Sequence, residues 1–402
     1  MPEHALMVVT HLRLINAVDC MDLSIMKTIE HPLLASSLGA ARQLTSLHFG
    51  KRIEGQEKVY IQASLHADEL PGMLVAWHLK QTLQQLEAAG HLRGEIILVP
   101  QANPIGNHQA LLGHQMGRFD LASGENFNRN YPQLADAVYD LIRDQLSADA
   151  SANTRLIRAT LMGLLAREPV LTELHSLRHH LMLLAADADI VLDLHCDFRA
   201  ALHVYTGSAQ WPLGEPLACY LGSRAQLVAN EAGGSPFDEA CCRLWWDLAQ
   251  RVAREGLAVP IDLACLAVTI ELRGQTDVNH TLAAQDAAAI INFLRYRGIV
   301  TDQPAPALPA LPYPATPLAG SENLRAPHPG IVVFHVEPGT YVEAGTAVAE
   351  VIDPYSDRVT VLRPQSAGVV YALEHRHYAT SGMWVAKIAG AQAFKTGALL
   401  SA

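Results

Sequence analysis

The sequence predicts an α/β fold followed by a small all-β domain, and three observations carry that prediction. Between about residues 58 and 300, short apolar runs alternate with long amphipathic stretches. The segment from Asp302 to Gly320, DQPAPALPALPYPATPLAG, holds too much proline for a helix or a central strand and reads as a stiff linker. Beyond it come short β-type runs punctuated by glycine. Half of the 402 residues are hydrophobic and 17% are charged, so a sizeable core forms and global disorder is excluded. The expected divisions are 1–301, a linker over 302–320, and a β domain over 321–402.

The elements follow in order. The N-terminal stretch MPEHALMVVTHLRLINAVDC has neither a basic n-region nor an unbroken apolar h-region, and no segment offers ~20 uninterrupted apolar residues. A cytoplasmic location away from membranes is therefore expected. Val59–Leu65 reads as a strand, followed by a loop and a helix opening near Pro71, where proline suits the first turn. That helix runs toward Gly90, a C-terminal stop, and Glu95–Val99 is the next strand. Tyr139 to Leu184 is helical by spacing and forms an inserted layer within the stretch 133–189. Ile190–Leu194 and Leu266–Leu272 are apolar and bounded by polar residues, as buried central strands are. Asn279–Arg295 closes the region as an amphipathic helix.

Charge and cysteine usage narrow the function classes. Lys and Arg total 29 against 40 Asp and Glu, a net charge of −11, which argues against a nucleic-acid partner. The six cysteines (Cys20, Cys196, Cys219, Cys241, Cys242 and Cys265) contain no C-x-x-C and only one adjacent pair, the usage of a reduced compartment.

The chemistry concentrates at predicted strand ends. In SLHADELPG, His66 and Glu69 lie three apart directly after a strand, and an imidazole and a carboxylate are ordinary zinc donors. Alone, the pair reads equally well as a surface loop. DLHCD then brings His195 to the end of a second strand, and functional groups in open α/β sheets gather at carboxyl ends of strands. Two histidines and a glutamate leave a fourth tetrahedral position for water, the catalytic zinc pattern with one ion per chain. Asp193 is either a partner orienting His195 or purely structural. A third strand end, TIELRGQ, carries Glu271, a carboxylate able to take a proton from water and return it to a leaving amine. GRFDLASGENFNRNYP holds Arg118, Asn128 and Arg129, and arginine forks onto carboxylates or meets a developing oxyanion.

His66-x-x-Glu69, Asn128-Arg129 in FNRNYP, DLH at His195 and the late Glu271 occur in the order found in the zinc carboxypeptidase superfamily. Across about residues 40–300 the sequence resembles the succinylglutamate desuccinylase/aspartoacylase branch, and the small β domain matches that branch too. The resemblance implies a mixed central sheet flanked by helices, a zinc carboxypeptidase-like catalytic domain. It implies that His66, Glu69 and His195 hold Zn2+, that Glu271 is the general base and acid, and that Arg118 polarises the scissile carbonyl. Asn128 and Arg129 would then grip a substrate carboxylate. An assisting tyrosine has three candidates, Tyr205, Tyr371 and Tyr378. The helical stretch between Tyr131 and Ile190 exceeds what compact members need, which suits a lid or an oligomer contact.

Other features read blandly. His175, His179 and His180 form a solvated helical face, Cys196 packs, and Cys241–Cys242 with Trp245 and Trp246 is the bulky side of an amphipathic helix. The C-terminal domain resembles a biotinyl/lipoyl-type fold, but the stretch from Asp353 to Gly368 has no lysine for a swinging arm. Only Lys387 and Lys395 lie in the domain, which reads instead as structural or substrate-shaping. The leading expectation is a zinc-dependent amidohydrolase removing an acyl group from an N-acyl amino acid or related N-acylated amine. The alternatives are a metallocarboxypeptidase on short peptides and an inactive binding protein of the same fold. The partner expected is a small-molecule substrate, with a homo-oligomer an open alternative to a monomer.

Overall fold

A computed structural model describes residues 26–399; the N-terminal stretch read above and Cys20 lie outside the described residues. The main sheet has nine strands in the spatial order Lys27–Pro32, Gln43–Gly50, Glu95–Val99, Lys58–Ala63, Ile190–Asp197, Leu266–Gly274, His203–Thr206, Ala225–Val228 and Thr316–Pro317. The four strands from Glu95–Val99 to Leu266–Gly274 run parallel, while the first two and the His203–Thr206 neighbour pair antiparallel. The sheet is therefore mixed, and helices cover both faces.

Strand alternation decides what each face does. Val59, Ile61, Ile190, Leu192, Leu194, Val268 and Ile270 point to one face, where the Pro71–Ala88 and His280–Tyr296 helices bury Val75, Leu79, Leu83, Ile290 and Phe293. The residues between them point the other way. Tyr60, Val191 and Ala267 join the second core, with Tyr139, Ile157, Leu161, Leu181, Phe237 and Trp245. That second layer is built from the helices Ala135–Ile142, Ala150–Leu165, Glu173–Ala185 and Phe237–Arg254. The inserted helices thus form a wall of the core. Asp193 and His195 share the face of Val191, and Thr269 and Glu271 share that of Ala267, so the polar residues open toward this second layer.

Past Tyr296 the chain has no regular element until Thr316–Pro317, which adds a parallel edge strand beside Ala225–Val228. Proline is tolerated there because an edge strand needs fewer donors. Two further sheets follow, one of five strands and one of four, enclosing Val332, Val351, Val370, Val385 and Ile388. The short Arg199–Ala200 strand, just beyond His195, pairs with Gly368–Leu373 of the five-stranded sheet. The five cysteines among the described residues are free and buried. Among those residues no helix is long and apolar enough to cross a membrane.

Candidate active site

The carboxyl ends of three parallel strands bring the chemistry together. Glu271 sits opposite His195 in the pairing of Leu266–Gly274 with Ile190–Asp197, and His66 follows the neighbouring Lys58–Ala63 strand. The chain leaves that strand through Ser64, whose φ of 58° lies in the left-handed region. The Ser64 hydroxyl donates to the Glu69 carbonyl at 2.9 Å, closing the His66–Glu69 loop on itself. Gly117 seats the next loop against it: Ala67 N–H donates to the Gly117 carbonyl, and a Cβ at 117 would lie 2.1 Å from Asp68 N. Arg118 thereby reaches His66, its Nη1 standing 3.3 Å from Nδ1.

His66, Glu69 and His195 are all buried, with ligand atoms within 4.8 Å of one another. His66 Nδ1 lies 2.9 Å from Glu69 Oε1, and His195 Nδ1 lies 2.8 Å from Glu69 Oε2. The outer nitrogens are committed. Asn126 Oδ1 already accepts the Asn128 backbone N–H, so it is an oxygen, and His66 Nε2 at 2.9 Å donates to it. Burial and the nearby Arg118 push His66 down to about 4, so the ring is neutral and Nδ1 offers a lone pair. A lone pair then faces a carboxylate oxygen across 2.9 Å, and the Arg118 guanidinium stands beside both, 3.3 Å from Nδ1 and 3.5 Å from Glu69 Oε1, so positive charge already gathers where an ion would sit.

His195 follows the same plan. Its Nε2 lies 3.0 Å from Asp193 Oδ2, and Gln62 Nε2 donates to the other Asp193 oxygen at 3.0 Å. The Tyr60 hydroxyl in turn donates to Gln62 Oε1 at 2.8 Å, so a buried line of side chains orients the imidazole. Burial opposes charge on His195, yet Asp193 and Glu69 outweigh it and hold the ring well above its ordinary value. Glu69 shows the reverse: burial opposes ionisation, but the charged His195 ring beside it holds it below the usual range. The donor set and its outer partners fit a bound divalent metal such as zinc.

All seven residues singled out in the sequence line one open cleft of about 1000 Å³, its mouth included. Among the described residues Glu271 Oε2 has no hydrogen-bond partner, and desolvation, with the Glu69 charge second, pushes its carboxyl up to about 8. Asn128 Oδ1 accepts from Phe237 N–H at 2.8 Å, which turns its Nδ2 to within 3.4 Å of His195 Nε2. Arg129 donates to the Asn128 carbonyl at 2.6 Å, with Gly234 (φ 76°) packed so closely that a Cβ there would lie 2.7 Å from its Cδ. Arg178, from the inserted helices, donates to the Asn126 carbonyl and to Glu125, so the insert positions the loop bearing Asn128.

Of the tyrosine candidates, Tyr205 lines the cleft and hydrogen-bonds Tyr371, which also meets Ser321 Oγ at 2.7 Å. Tyr378 is exposed in the four-stranded sheet, away from the cleft. His175, His179 and His180 lie on the Glu173–Ala185 helix, outside the His–Glu–His group. Sequence reasoning missed Lys387, Asp238 and Glu239, all in the cleft wall. Lys387 Nζ pairs with Asp197 Oδ2 at 2.7 Å, and a lysine inside the apolar strand WVAKIAG was the signal that could have found it.

Fold and cleft define an α/β catalytic domain with a buried His–Glu–His group able to hold a metal. A sequence profile of the succinylglutamate desuccinylase/aspartoacylase catalytic domain matches residues 55–297. The chain belongs to that family. Among solved structures, a succinylglutamate desuccinylase/aspartoacylase family protein from Shewanella amazonensis shares 26% identity over 90% of this chain and 98% of its own, with a TM-score of 0.76. One from Shewanella frigidimarina shares 23% over 91% and 97%, with a TM-score of 0.79. A third, from Rhodobacter sphaeroides, has the same fold at 16% identity over 92% and 97%, with a TM-score of 0.61. No curated protein matches the sequence.

Proposed function

We propose that this protein is a zinc-dependent amidohydrolase that removes an acyl group from an N-acyl amino acid or a related N-acylated amine. The observation that carries the reading is the convergence of two imidazole Nδ1 atoms on both oxygens of Glu69, beside Glu271, whose Oε2 has no hydrogen-bond partner among the described residues. His66, Glu69 and His195 would hold the ion, which when bound supplies a Lewis acid and acidifies water. Glu271 takes a proton from the attacking water on its carboxylate and returns it to the departing amine. A carboxyl held near neutrality suits both halves of that exchange. Arg118, on the loop seated by Gly117, offers N–H donors to the oxygen that gains charge as the amide carbonyl is attacked. Asn128 and Arg129 receive a carboxylate, which fixes the scissile bond in the cleft.

The test is a substrate panel on metal-analysed protein. We expect about one zinc per chain, activity lost to a chelator, and turnover of N-acyl amino acids above that of short peptides. Cleavage of peptides alone would assign a carboxypeptidase, and full zinc without turnover would assign a binding protein. Metal content unchanged in both His66→Ala and His195→Ala would refute the ligand set.

A further inference from the structure

Beyond the Trp384–Gly390 strand the chain returns to the cleft wall. The Phe394 and Lys395 N–H groups both donate to the Ala319 carbonyl, at 3.1 and 3.0 Å. Leu399 N–H then donates to the Ala232 carbonyl at 2.8 Å, and a Cβ on Gly233 would lie 3.0 Å from that of Ala398. The Leu399 side chain packs against Leu227, Ala232 and Leu318, which line the cleft. The loop it meets cannot support itself. Gly233, Gly234 and Ser235 have φ values of 95°, 76° and 50°, and the last of these is uncommon for a residue with a side chain. Such a run joins neither helix nor strand, so its course is set by what fastens it. On one side Asn130 N–H donates to the Gly234 carbonyl and Tyr131 N–H to that of Ser235, both at 3.0 Å. On the other, Ala232 donates its N–H to Glu239 Oε1 at 2.5 Å while its carbonyl takes the Leu399 N–H. Arg129 depends on both. Its side chain passes over Gly234, and while burial and Arg118 oppose its charge, Asp238 and Glu239 support it.

We propose that Ala398 and Leu399 are positioning residues for Arg129: they fix Ala232 and Gly233, and the loop fixes the guanidinium in the cleft. The functional consequence rests on the reading of Arg129 as the partner of a substrate carboxylate. Neither Ala398 nor Leu399 lines the cleft, so both act through the loop and touch no reacting atom. A carboxylate contact exists in the bound ground state and in the transition state alike. Loosening the loop therefore weakens binding and leaves the chemical step in place.

Amide hydrogen exchange on the metal-replete full chain reads this coupling without any substrate. Leu399→Pro removes the N–H that Ala232 accepts, whereas Leu399→Ala keeps it. We expect the Asn130 and Tyr131 amides to exchange about three- to tenfold faster in Leu399→Pro, and to stay closer to wild type in Leu399→Ala. Amides of the Ile190–Asp197 strand, unchanged in both, show that the fold is intact. Wild-type exchange at Asn130 and Tyr131 in Leu399→Pro overturns the proposal. Steady-state rates on N-acetyl amino acids and their carboxamides read the consequence. For an acid that the wild-type protein hydrolyses, Leu399→Pro should raise KM about three- to tenfold, with kcat and the KM of the carboxamide unchanged. Faster exchange with an unaltered KM, where the wild-type protein prefers acid to amide, also overturns the proposal. A wild-type protein that prefers neither form, or hydrolyses none of them, removes the carboxylate reading instead. The exchange rates then decide alone whether the C-terminal segment holds the loop behind Arg129.

Discussion

Replacing Asp193 by Asn tests how far the candidate metal site depends on residues outside its His–Glu–His group. Asp193 is fully buried, with one oxygen 3.0 Å from His195 Nε2 and the other accepting from Gln62 Nε2 at 3.0 Å. An amide has only one oxygen for these two donors, so one N–H faces another N–H in either rotamer. Relief requires Gln62 to turn over, with the Tyr60 hydroxyl changing from donor to acceptor. Even then the negative charge that raises the basicity of His195 is lost. A charge-assisted bond exceeds a neutral one by about 1–2 kcal/mol, and removing such an outer partner typically weakens metal binding by about ten- to hundredfold. Competition against a chromophoric chelator on metal-free protein measures this directly, with thermal unfolding of the metal-free variant as the folding control. Zinc affinity within about twofold of wild type would show that Asp193 is structural and that the orientation argument is wrong.

Glu271→Gln keeps shape but cannot accept a proton, so turnover should fall at least ~10²-fold with zinc retained, read by steady-state rates beside metal analysis. Arg129→Ala should raise KM by about ten- to hundredfold for a carboxylate-bearing substrate and hardly affect its carboxamide analogue, whereas Arg118→Ala should lower kcat. Equal cleavage of acid and amide forms by the wild-type protein would remove the carboxylate clamp. Gly117→Ala drives a Cβ to 2.1 Å from Asp68 N, so the His66–Glu69 loop must shift; we expect about 1–3 kcal/mol lost in urea unfolding and a turnover drop of roughly 10²-fold. Lys387→Met removes the ion-pair partner of the half-buried Asp197, whose other oxygen still accepts the Phe198 N–H, which should cost about 1 kcal/mol in the same assay, most of it restored by adding Asp197→Asn.

The parts of this protein that were legible in its sequence share a physical cause. Strands buried on both faces must be continuously apolar, so IVLDL and LAVTIEL stand out, and the polar residue at the end of each run is where a cleft forms. His195 and Glu271 were readable for that reason, and His66 because it follows a third such run. Short strands and the outermost one carry no such mark. KTIEHP offers a single aliphatic residue, Ile29, and HVYT and AQLV are only four residues long, so periodicity finds none of them. Gly117 and Gly234 looked like ordinary loop glycines, since what each must avoid lies 49 and 105 residues away, at Asp68 and Arg129. Asp238 and Glu239 imitate an ordinary helix start, and only the burial of the whole turn shows otherwise.

The C-terminal sheets illustrate the same point from the opposite side. Their glycine and valine rhythm suggests a carrier domain, and the missing hairpin lysine argues against one. The structure adds a mechanical reason. Asp197, two residues beyond His195, is held by Lys387, and Arg199–Ala200 immediately after it pairs with Gly368–Leu373. The stacked rings of Phe198 and Trp384, 5.8 Å apart, lie between those two attachments. Four consecutive residues beyond His195's own neighbour are thus fastened to the C-terminal sheets by charge, ring packing and backbone hydrogen bonds. A swinging carrier needs freedom from the body it serves, and here the attachment falls on the strand that presents His195. Loosening it would move the candidate metal ligand, so the physical role these contacts support is to hold the exit of that strand while Lys387 completes the cleft wall.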